Sequence, residues 1–288
     1  FRTKDYLENN FIKVEGGQFN TFRGIAGINL LKSPGDRRDQ SLYFAGEASY
    51  TKGYFESPQN FNRFNGTLKY HGSISHNSTL PASLTGYTSK WNASGQIPDR
   101  AVESVGFYGA IDDTEGGKTS RYNANLELLT NLKDGSTLRN QVFFSKYLFE
   151  LYSNFTFFKE DPVNGDQIRQ KENRNIFGYN GAYQKQFFLG NLPTETRAGI
   201  QLRYDDVNDI ELTRTRNRTI NTNEIMFGDV NEFNGGAYVS QKLSVSGNLD
   251  ITGALRVDYF DNKYNDKLAG EVLKANSTIV SPKLNLNL

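Results

Sequence analysis

The feature that most constrains this chain is a period-two alternation of apolar and polar residues that recurs along most of its length. Within 196–205, Ile200 and Leu202 share one parity, whereas Gln201 and Arg203 share the other. The segment 248–259 repeats the pattern. Successive side chains of a strand point to opposite faces, so each segment predicts a strand with an apolar and a polar face. Roughly 10 residues cross a bilayer at the usual tilt, and such strands fit lipid on one side and water on the other.

Composition alone would indicate a soluble polar domain, since 36% of the 288 residues are hydrophobic and the mean hydropathy is -0.62. That reading is unsafe, because the lumen and loops of a β-barrel are polar and lower the average. The net charge of +1 gives no field that would attract nucleic acid, so no nucleic-acid partner is expected. The absence of cysteine excludes disulfides and thiolate metal sites. The 21 Phe and 16 Tyr suit strands and the aromatic girdles of barrels.

Alternation bounded by turn residues predicts about eleven strands. They fall near 21–32, 40–52, 61–75, 79–91, 118–131, 136–152, 174–188, 194–212, 231–244, 247–263 and 278–288. Short turns alternate strictly with long polar connections, which are predicted at 53–60, 92–117, 153–173, 212–230 and 264–277. All connections of one class therefore lie at one end of the strands. We predict an all-β, antiparallel transmembrane β-barrel with short periplasmic turns and long extracellular loops.

An open sheet of this length would expose unpaired edges to lipid, so the physiological barrel must close. Single-chain bacterial barrels have even strand numbers, and large transporters reach 22 strands around a plug. The first residues contain no Met and no apolar signal segment, and the last residues stop inside a strand pattern. Residues 1–288 are therefore expected to form a partial β-barrel domain, about half of a 22-stranded barrel, with the plug domain absent.

One predicted strand departs from the alternation. In 136–152, Arg139 and Gln141 share a parity with Phe143, Tyr147 and Phe149. A β-bulge near Phe143 would shift the parity and restore a uniformly polar face.

Several segments resemble the barrel of TonB-dependent outer-membrane receptors. They are, in chain order, 16–24 (GGQFNTFRG), 89–102 (SKWNASGQIPDRAV), 115–122 (EGGKTSRY), 153–158 (SNFTFF), 161–168 (DPVNGDQI) and 281–285 (SPKLN). The loop motifs are more specific than any strand, and together the segments cover nearly the whole chain. The TonB box, the plug and the C-terminal barrel strands of the family are not found in it.

This resemblance implies a receptor in the outer membrane of a Gram-negative bacterium that binds a scarce ligand and imports it. The energy would come from the TonB complex acting through the plug, and the ligand would be of the siderophore, cobalamin or oligosaccharide class. Outer-membrane lipid and lipopolysaccharide are the other expected partners, and no cofactor is expected.

Two groups of residues are candidates for ligand contact. Trp91 begins the long loop 92–117, and with Tyr87 and Arg100 it would meet a ligand from the outer side. Anchoring of Trp91 at the membrane interface is the equal alternative. Further along, the segment 213–218 would place three guanidiniums on one face if its strand continues past the membrane edge. A basic face of this kind could hold an anionic ligand or lipopolysaccharide phosphate, but a solvated basic hairpin is the stronger reading.

The three guanidiniums belong to Arg214, Arg216 and Arg218. Arg203, Arg256 and Glu127 are predicted to face the lumen, where they could meet a substrate or simply line a wet wall.

Neither a metal site nor catalysis is predicted. His71 and His76 lie near a turn without additional converging ligands. The acidic stretches 112–115 and 161–166 match no EF-hand spacing, and a calcium reading competes with ordinary turn chemistry. No nucleophile with an adjacent base or phosphate-binding loop is found, so the chain is not expected to be an enzyme.

Two alternatives to the receptor remain open. One is a soluble β-rich adhesion or carbohydrate-binding module, in which the apolar faces would be buried in a core. The other is a passive porin-like barrel.

Overall fold

The computed structural model describes residues 7–33 and 40–287, which form one antiparallel sheet of 13 strands. The strands are β1 (Phe11–Gly17), β2 (Thr21–Ser33), β3 (Gln40–Thr51), β4 (Phe61–Ser75), β5 (Ser78–Thr79), β6 (Ala82–Ala93), β7 (Glu115–Asn131), β8 (Thr137–Ser153), β9 (Ile168–Leu189), β10 (Leu192–Arg216), β11 (Ile220–Ser246), β12 (Leu249–Asp266) and β13 (Glu271–Asn287). A 3-10 turn (Asp99–Ala101) and the one-turn helix α1 (Val102–Val105) interrupt the longest connection. No helix among the described residues is long and apolar enough to cross a membrane. The predicted all-β antiparallel class is confirmed.

The strand assignments differ from the prediction in three ways. β1 was not predicted, and the predicted strand 79–91 is divided into β5 and β6. The predicted loops 212–230 and 264–277 are largely strand, since only 217–219 and 267–270 interrupt them. Those two loop predictions are wrong because paired strands can hydrogen-bond each other's backbone N–H and C=O groups beyond a bilayer as well as inside it. The short turn expected between the predicted strands 21–32 and 40–52 falls largely outside the described ranges, and residues 1–6 fall outside them altogether.

One face of the sheet carries a continuous apolar belt. Residues that pair directly across nine strands form one of its rows, which comprises Ile28, Phe44, Leu68, Leu84, Ala124, Phe144, Phe177, Tyr204 and Phe233. Large side chains of the belt remain exposed, with Ile200 51% and Leu255 45% accessible. A soluble sandwich would bury these residues in a core, so the adhesion-module alternative does not fit the described sheet. An exposed apolar belt of this extent suits contact with lipid.

The opposite face is polar and is cross-linked by ion pairs between strands. Glu47 accepts hydrogen bonds from Arg23 and Arg63, which lie on the strands at either side of it. Asp205, 1% exposed by its side chain, accepts two bonds from Arg203 at 2.6 and 2.7 Å and one from Arg174 at 2.9 Å. Among the described residues, buried polar side chains outnumber buried hydrophobic ones. This inversion of the soluble pattern fits a wall between lipid and water.

The bulge predicted near Phe143 is wrong. The β7–β8 register runs without a shift from Gly116↔Tyr152 to Asn131↔Thr137, so Phe143 lies on the polar face. Gly178, opposite Phe143 on β9, makes room for the ring. A Cβ atom on Gly178 would lie 2.0 Å from the ring atom Cζ of Phe143. The missing side chain of a neighbour, rather than a bulge, accommodates this aromatic residue.

A true bulge lies higher on β10, between Val207 and Ile210. Asp209 there has a positive φ of 52°, and its N–H donates to Asp229 Oδ1 at 2.9 Å. Lys267, in the turn between β12 and β13, donates to Asp209 Oδ1 at 2.8 Å and to Asp229 Oδ1 at 2.7 Å. The β10–β11 hairpin is thereby tied to the next hairpin above the belt.

Candidate ligand-binding site

A cavity of about 370 Å³ opens on the polar face at the end of the sheet where the longer connections lie. It is formed by the end of β3, the connection that follows it, the start of β4, and β6 with β7. Its lining residues are Thr51, Gln59, Phe61, Tyr87, Ser89, Trp91 and Thr119. The structure therefore brings together two of the predicted ligand residues, Tyr87 and Trp91.

Trp91 reaches this cavity because β6 keeps its alternation to the end. Tyr87, Ser89 and Trp91 share one parity, whereas Leu84 of the apolar belt has the other. Gly117 pairs with Trp91 on β7, and a Cβ atom there would lie 3.1 Å from the indole atom Cζ2. The indole thus lies on the polar face of the sheet. Anchoring of Trp91 at the lipid interface, the alternative considered for it, does not fit this position.

The chemistry of the lining is aromatic and uncharged. Phe61, Tyr87 and Trp91 contribute rings, and Gln59 with the neighbouring hydroxyls contributes neutral hydrogen-bonding groups. Rings of this kind stack on planar or apolar ligand surfaces, and the polar groups fix a ligand's orientation.

A largely exposed aromatic cluster, partly on the connection that also carries the lining residue Gln59, was not predicted. It consists of Phe19, Tyr54, Phe55, Phe107 and Tyr108, whose neighbouring ring centroids lie between 4.4 and 6.4 Å apart. The N–H of Glu56 donates to the Tyr108 carbonyl at 3.1 Å, which fastens the connection 52–60 to the connection 94–114. The signal available in the sequence was the pair of aromatic dipeptides, 54–55 and 107–108, inside otherwise polar loops.

Arg100 does not line the cavity. It lies exposed in the 3-10 turn Asp99–Ala101, within the connection that carries Phe107 and Tyr108. Its predicted contact with a ligand stays a prediction.

The three guanidiniums of the segment 213–218 do not all share a face. Arg214 pairs with Glu160 and lies 3.5 Å from Asp166 Oδ1. Arg216 is exposed as the last residue of β10, and Arg218 lies in the turn with a φ of 60°. Arg214 and Arg216 keep the same parity on β10, because the register shift between Arg214 and Thr215 places its extra residue on β11. The predicted common face is wrong for Arg218, because β10 ends at Arg216 and the chain turns.

Arg218 belongs instead to a buried polar cluster, here called the loop clamp. The clamp comprises Asp112, Thr114, Asn154, Gln167, Thr215 and Arg218, and it joins the connections 94–114 and 154–167 to the β10–β11 turn. Burial raises the pKa of Asp112, but hydrogen bonds from Thr114, Asn154 and Gln167 outweigh it, so the net pKa is lowered. Asp112 is therefore ionised at neutral pH.

The lumen-facing residues predicted from the alternation are all paired. Arg203 is held by Asp205, Arg256 donates to Asp258 Oδ1 at 2.6 Å, and Glu127 accepts from Arg139 at 2.7 Å. They line the polar wall, and contact with a substrate stays a prediction.

Among residues 7–33 and 40–287, no group of three or more His, Cys, Asp or Glu side chains could hold a metal ion. His71 lies on β4, and His76 lies in the turn that follows it. In the stretch 161–166, Asp161 accepts from the N–H groups of Val163 and Asn164, both at 2.9 Å. Its carboxylate thus caps its own turn.

Comparison with known proteins gives one family and many similar folds. The family model described as "TonB dependent receptor-like, beta-barrel" matches residues 49–288. No curated protein matches the chain.

Three solved structures illustrate the likeness. The unliganded ferric citrate transporter FecA has a TM-score of 0.76 and 14% identity, covering 93% of this chain and 39% of that one. The alcaligin outer-membrane receptor FauA from Bordetella pertussis has a TM-score of 0.69 and 12% identity, covering 98% and 41%. The open form of the ferric-catecholate import receptor Fiu from E. coli K12 has a TM-score of 0.66 and 11% identity, covering 98% and 52%. At these identities the likeness concerns the fold, and the chain spans about 39 to 52% of each structure's length.

Proposed function

The chain belongs to the TonB-dependent receptor-like β-barrel family, and we propose that, within a longer receptor, it captures a scarce small molecule at the cell surface for energy-coupled import. The observation that carries this proposal is the position of the cavity lined by Tyr87 and Trp91. It opens on the polar face, at the end of the strands where the folded connections lie. A ligand arriving from that end meets aromatic and neutral polar side chains first.

The two faces of the sheet support an outer-membrane location. The exposed apolar belt would contact lipid, and the ion-paired face would line the watery interior. A groove of about 660 Å³ in the belt, lined by residues such as Leu68, Leu84 and Phe144, offers a place for acyl chains. Arg216, exposed at the tip of β10, is the guanidinium of its group that we propose for lipopolysaccharide phosphate, since Arg214 and Arg218 are already bonded.

The proposed ligand belongs to the siderophore, cobalamin or oligosaccharide class. Two of the similar structures are named for iron complexes, ferric citrate for FecA and ferric catecholate for Fiu. The aromatic, uncharged lining of the cavity suits all three classes. The energy would come from the TonB complex through a plug domain in the longer receptor. No catalytic role is proposed.

The test is uptake by cells that carry the full-length gene or its deletion. Labelled ferric siderophores, cobalamin and neutral oligosaccharides are supplied with and without a protonophore. We expect energised cells to take up one class and the deletion strain to lose that uptake. Trp91→Ala and Tyr87→Ala should lower uptake about tenfold, since each truncation removes a ring from the cavity.

The matched control is Tyr147→Ala, which removes a ring of the polar face outside the lining. Uptake that persists with the protonophore would identify the passive porin-like alternative. Unchanged uptake in the Trp91 and Tyr87 variants would reject this cavity as the site.

A further inference from the structure

Gln167 is buried where three connections meet. It is 2% exposed and is the last residue of the connection between β8 and β9. Its side chain contacts Asp112 and Thr114 from the connection 94–114, and Thr215 and Arg218 at the tip of the β10–β11 hairpin. Its main-chain carbonyl also accepts from the N–H of Thr215 at 2.8 Å. Segments far apart in sequence are therefore joined by one side chain.

The polarity of the Gln167 amide matches its surroundings on both sides. Nε2 donates to Asp112 Oδ2 at 3.0 Å and to Thr114 Oγ1 at 2.7 Å. Oε1 accepts from Thr215 Oγ1 at 3.1 Å and from the Arg218 N–H at 3.0 Å. All the bonding positions of a primary amide are used, and a carboxylate of the same shape would place a second negative charge beside Asp112.

A chain of hydrogen bonds leads from Gln167 to the cavity. Arg218, fixed through its N–H by Gln167, donates from Nη2 to Asn92 Oδ1 at 3.1 Å. The guanidinium also donates to the carbonyls of Thr114 and Glu115. Asn92 follows Trp91 and donates its N–H to the Gln59 carbonyl at 2.7 Å. Trp91 and Gln59 both line the cavity.

We propose that Gln167 is a positioning residue of the ligand site, which sets the placement of Trp91 and Gln59 through Arg218 and Asn92 without touching the ligand. The proposal rests on the proposed function for its biological meaning, because the cavity is the ligand site only if that function holds. Coupling of this kind needs a contiguous network and a direct test of interaction, and the hydrogen-bond chain supplies the network.

The test uses the full-length receptor and needs no ligand. 5-Fluorotryptophan is incorporated, and the ¹⁹F resonance of Trp91 is assigned from its loss in Trp91→Phe. Gln167→Glu should shift or split this resonance. Hydrogen exchange measured by mass spectrometry should become about tenfold faster in the peptide containing Asn92, since its bond to Gln59 loses support.

Charge restoration separates positioning from a general loss of packing. In Gln167→Glu with Asp112→Asn, the pair again has one carboxylate and one amide, so the resonance and the exchange rate should return toward those of the unmodified receptor. Thr213→Val is the control. Thr213 is fully buried nearby but bonds to Glu211, outside the chain that reaches Asn92.

An unchanged Trp91 resonance in folded Gln167→Glu would overturn the proposal. So would an equal shift in Thr213→Val, or no recovery in the double variant. These readouts do not depend on import. Failure of uptake with an intact coupling would therefore reject the proposed function alone.

Discussion

Glu115 offers a prediction about pH that follows from its burial. It is the first residue of β7, well above the apolar belt, and it is 5% exposed. Its Oε1 atom has no hydrogen-bond partner, and a Cβ atom on Gly95 would lie 2.1 Å from it. Burial raises the pKa of Glu115 to about 7, the negative charge of Asp112 adds to the rise, and the Asn154 N–H opposes it. The folded environment therefore favours the protonated carboxyl more than water does.

The sign of the effect follows from proton linkage. The pKa in the folded state lies above the ordinary value of 4.5, so the folded state binds more protons between these two values. The contribution of Glu115 to stability is complete below about pH 4.5 and is lost as the pH rises through about 7. At roughly 1.36 kcal/mol per pKa unit, the loss amounts to at most about 3 kcal/mol.

Glu115→Gln removes the titration while keeping the shape of the protonated side chain. We expect the opening free energy of the connection 94–114 to fall with rising pH in the unmodified full-length receptor and to stay level in the variant. The variant should be the more stable of the two at pH 8, by at most about 3 kcal/mol. Hydrogen exchange across pH 5–9, corrected for the intrinsic rate, measures this local opening.

The control is Glu103→Gln, the same chemical change at an exposed residue of α1 in the same connection. It should leave the pH profile of the unmodified receptor in place. A pH slope that persists in Glu115→Gln, or an equal flattening in Glu103→Gln, would show that Glu115 is not the group that titrates.

Three further predictions concern the walls of the sheet. Ile200→Asp places a charge in the apolar belt and should destabilise the receptor in vesicles by on the order of 1–2 kcal/mol, whereas Gln201→Asp on the polar face should not. The folded fraction of each variant is read from heat-modifiable gel mobility. Equal losses in the two variants would contradict the assignment of faces. Gly178→Ala should lower the free energy of unfolding in urea by about 1–3 kcal/mol, because the new Cβ atom meets the Phe143 ring. In a receptor that also carries Phe143→Ala, most of this cost should disappear, and additive effects of the two changes would rule out the contact. Asp205→Asn should lower the free energy of unfolding by about 3 kcal/mol in the same assay, since Arg174 and Arg203 lose their shared carboxylate. An unchanged stability would mean that water fully replaces the carboxylate.

The strands and their faces could be predicted because the signal is local. Ile200 and Arg203 reveal their environments by parity alone, since lipid and water select opposite residue types at each position. Tyr87 and Trp91 were chosen for a different reason, their position beside the long loop 92–117, and they reach the cavity because β6 keeps its alternation to its end. Phe143 shows the limit of this signal. Its place on the polar face depends on Gly178, a residue of another strand that no pattern within β8 reveals.

The loop clamp could not be predicted for a related reason. Gln167 lies 55 residues from Asp112 and 48 from Thr215, and nothing near it in sequence distinguishes it from an ordinary polar loop residue. Arg214 and Arg218 were predicted to act together, but β10 ends at Arg216 and Arg218 lies in the turn that follows. Parity arguments fail wherever a bulge or a turn changes the count by one residue.

The height of the β10–β11 hairpin has a mechanical consequence. Twelve residues separate Tyr204, in the apolar belt, from Arg216 at the end of β10, a rise of roughly 30 Å for a tilted strand. The backbone pairing of β10 with β11 continues almost to the tip of the hairpin, and Lys267 of the next hairpin bonds to it. This part of the sheet is a paired hairpin that extends beyond the belt, and the loop clamp bonds the connections 94–114 and 154–167 to it. Force applied at the tip of this hairpin would be transmitted along its paired strands toward the belt.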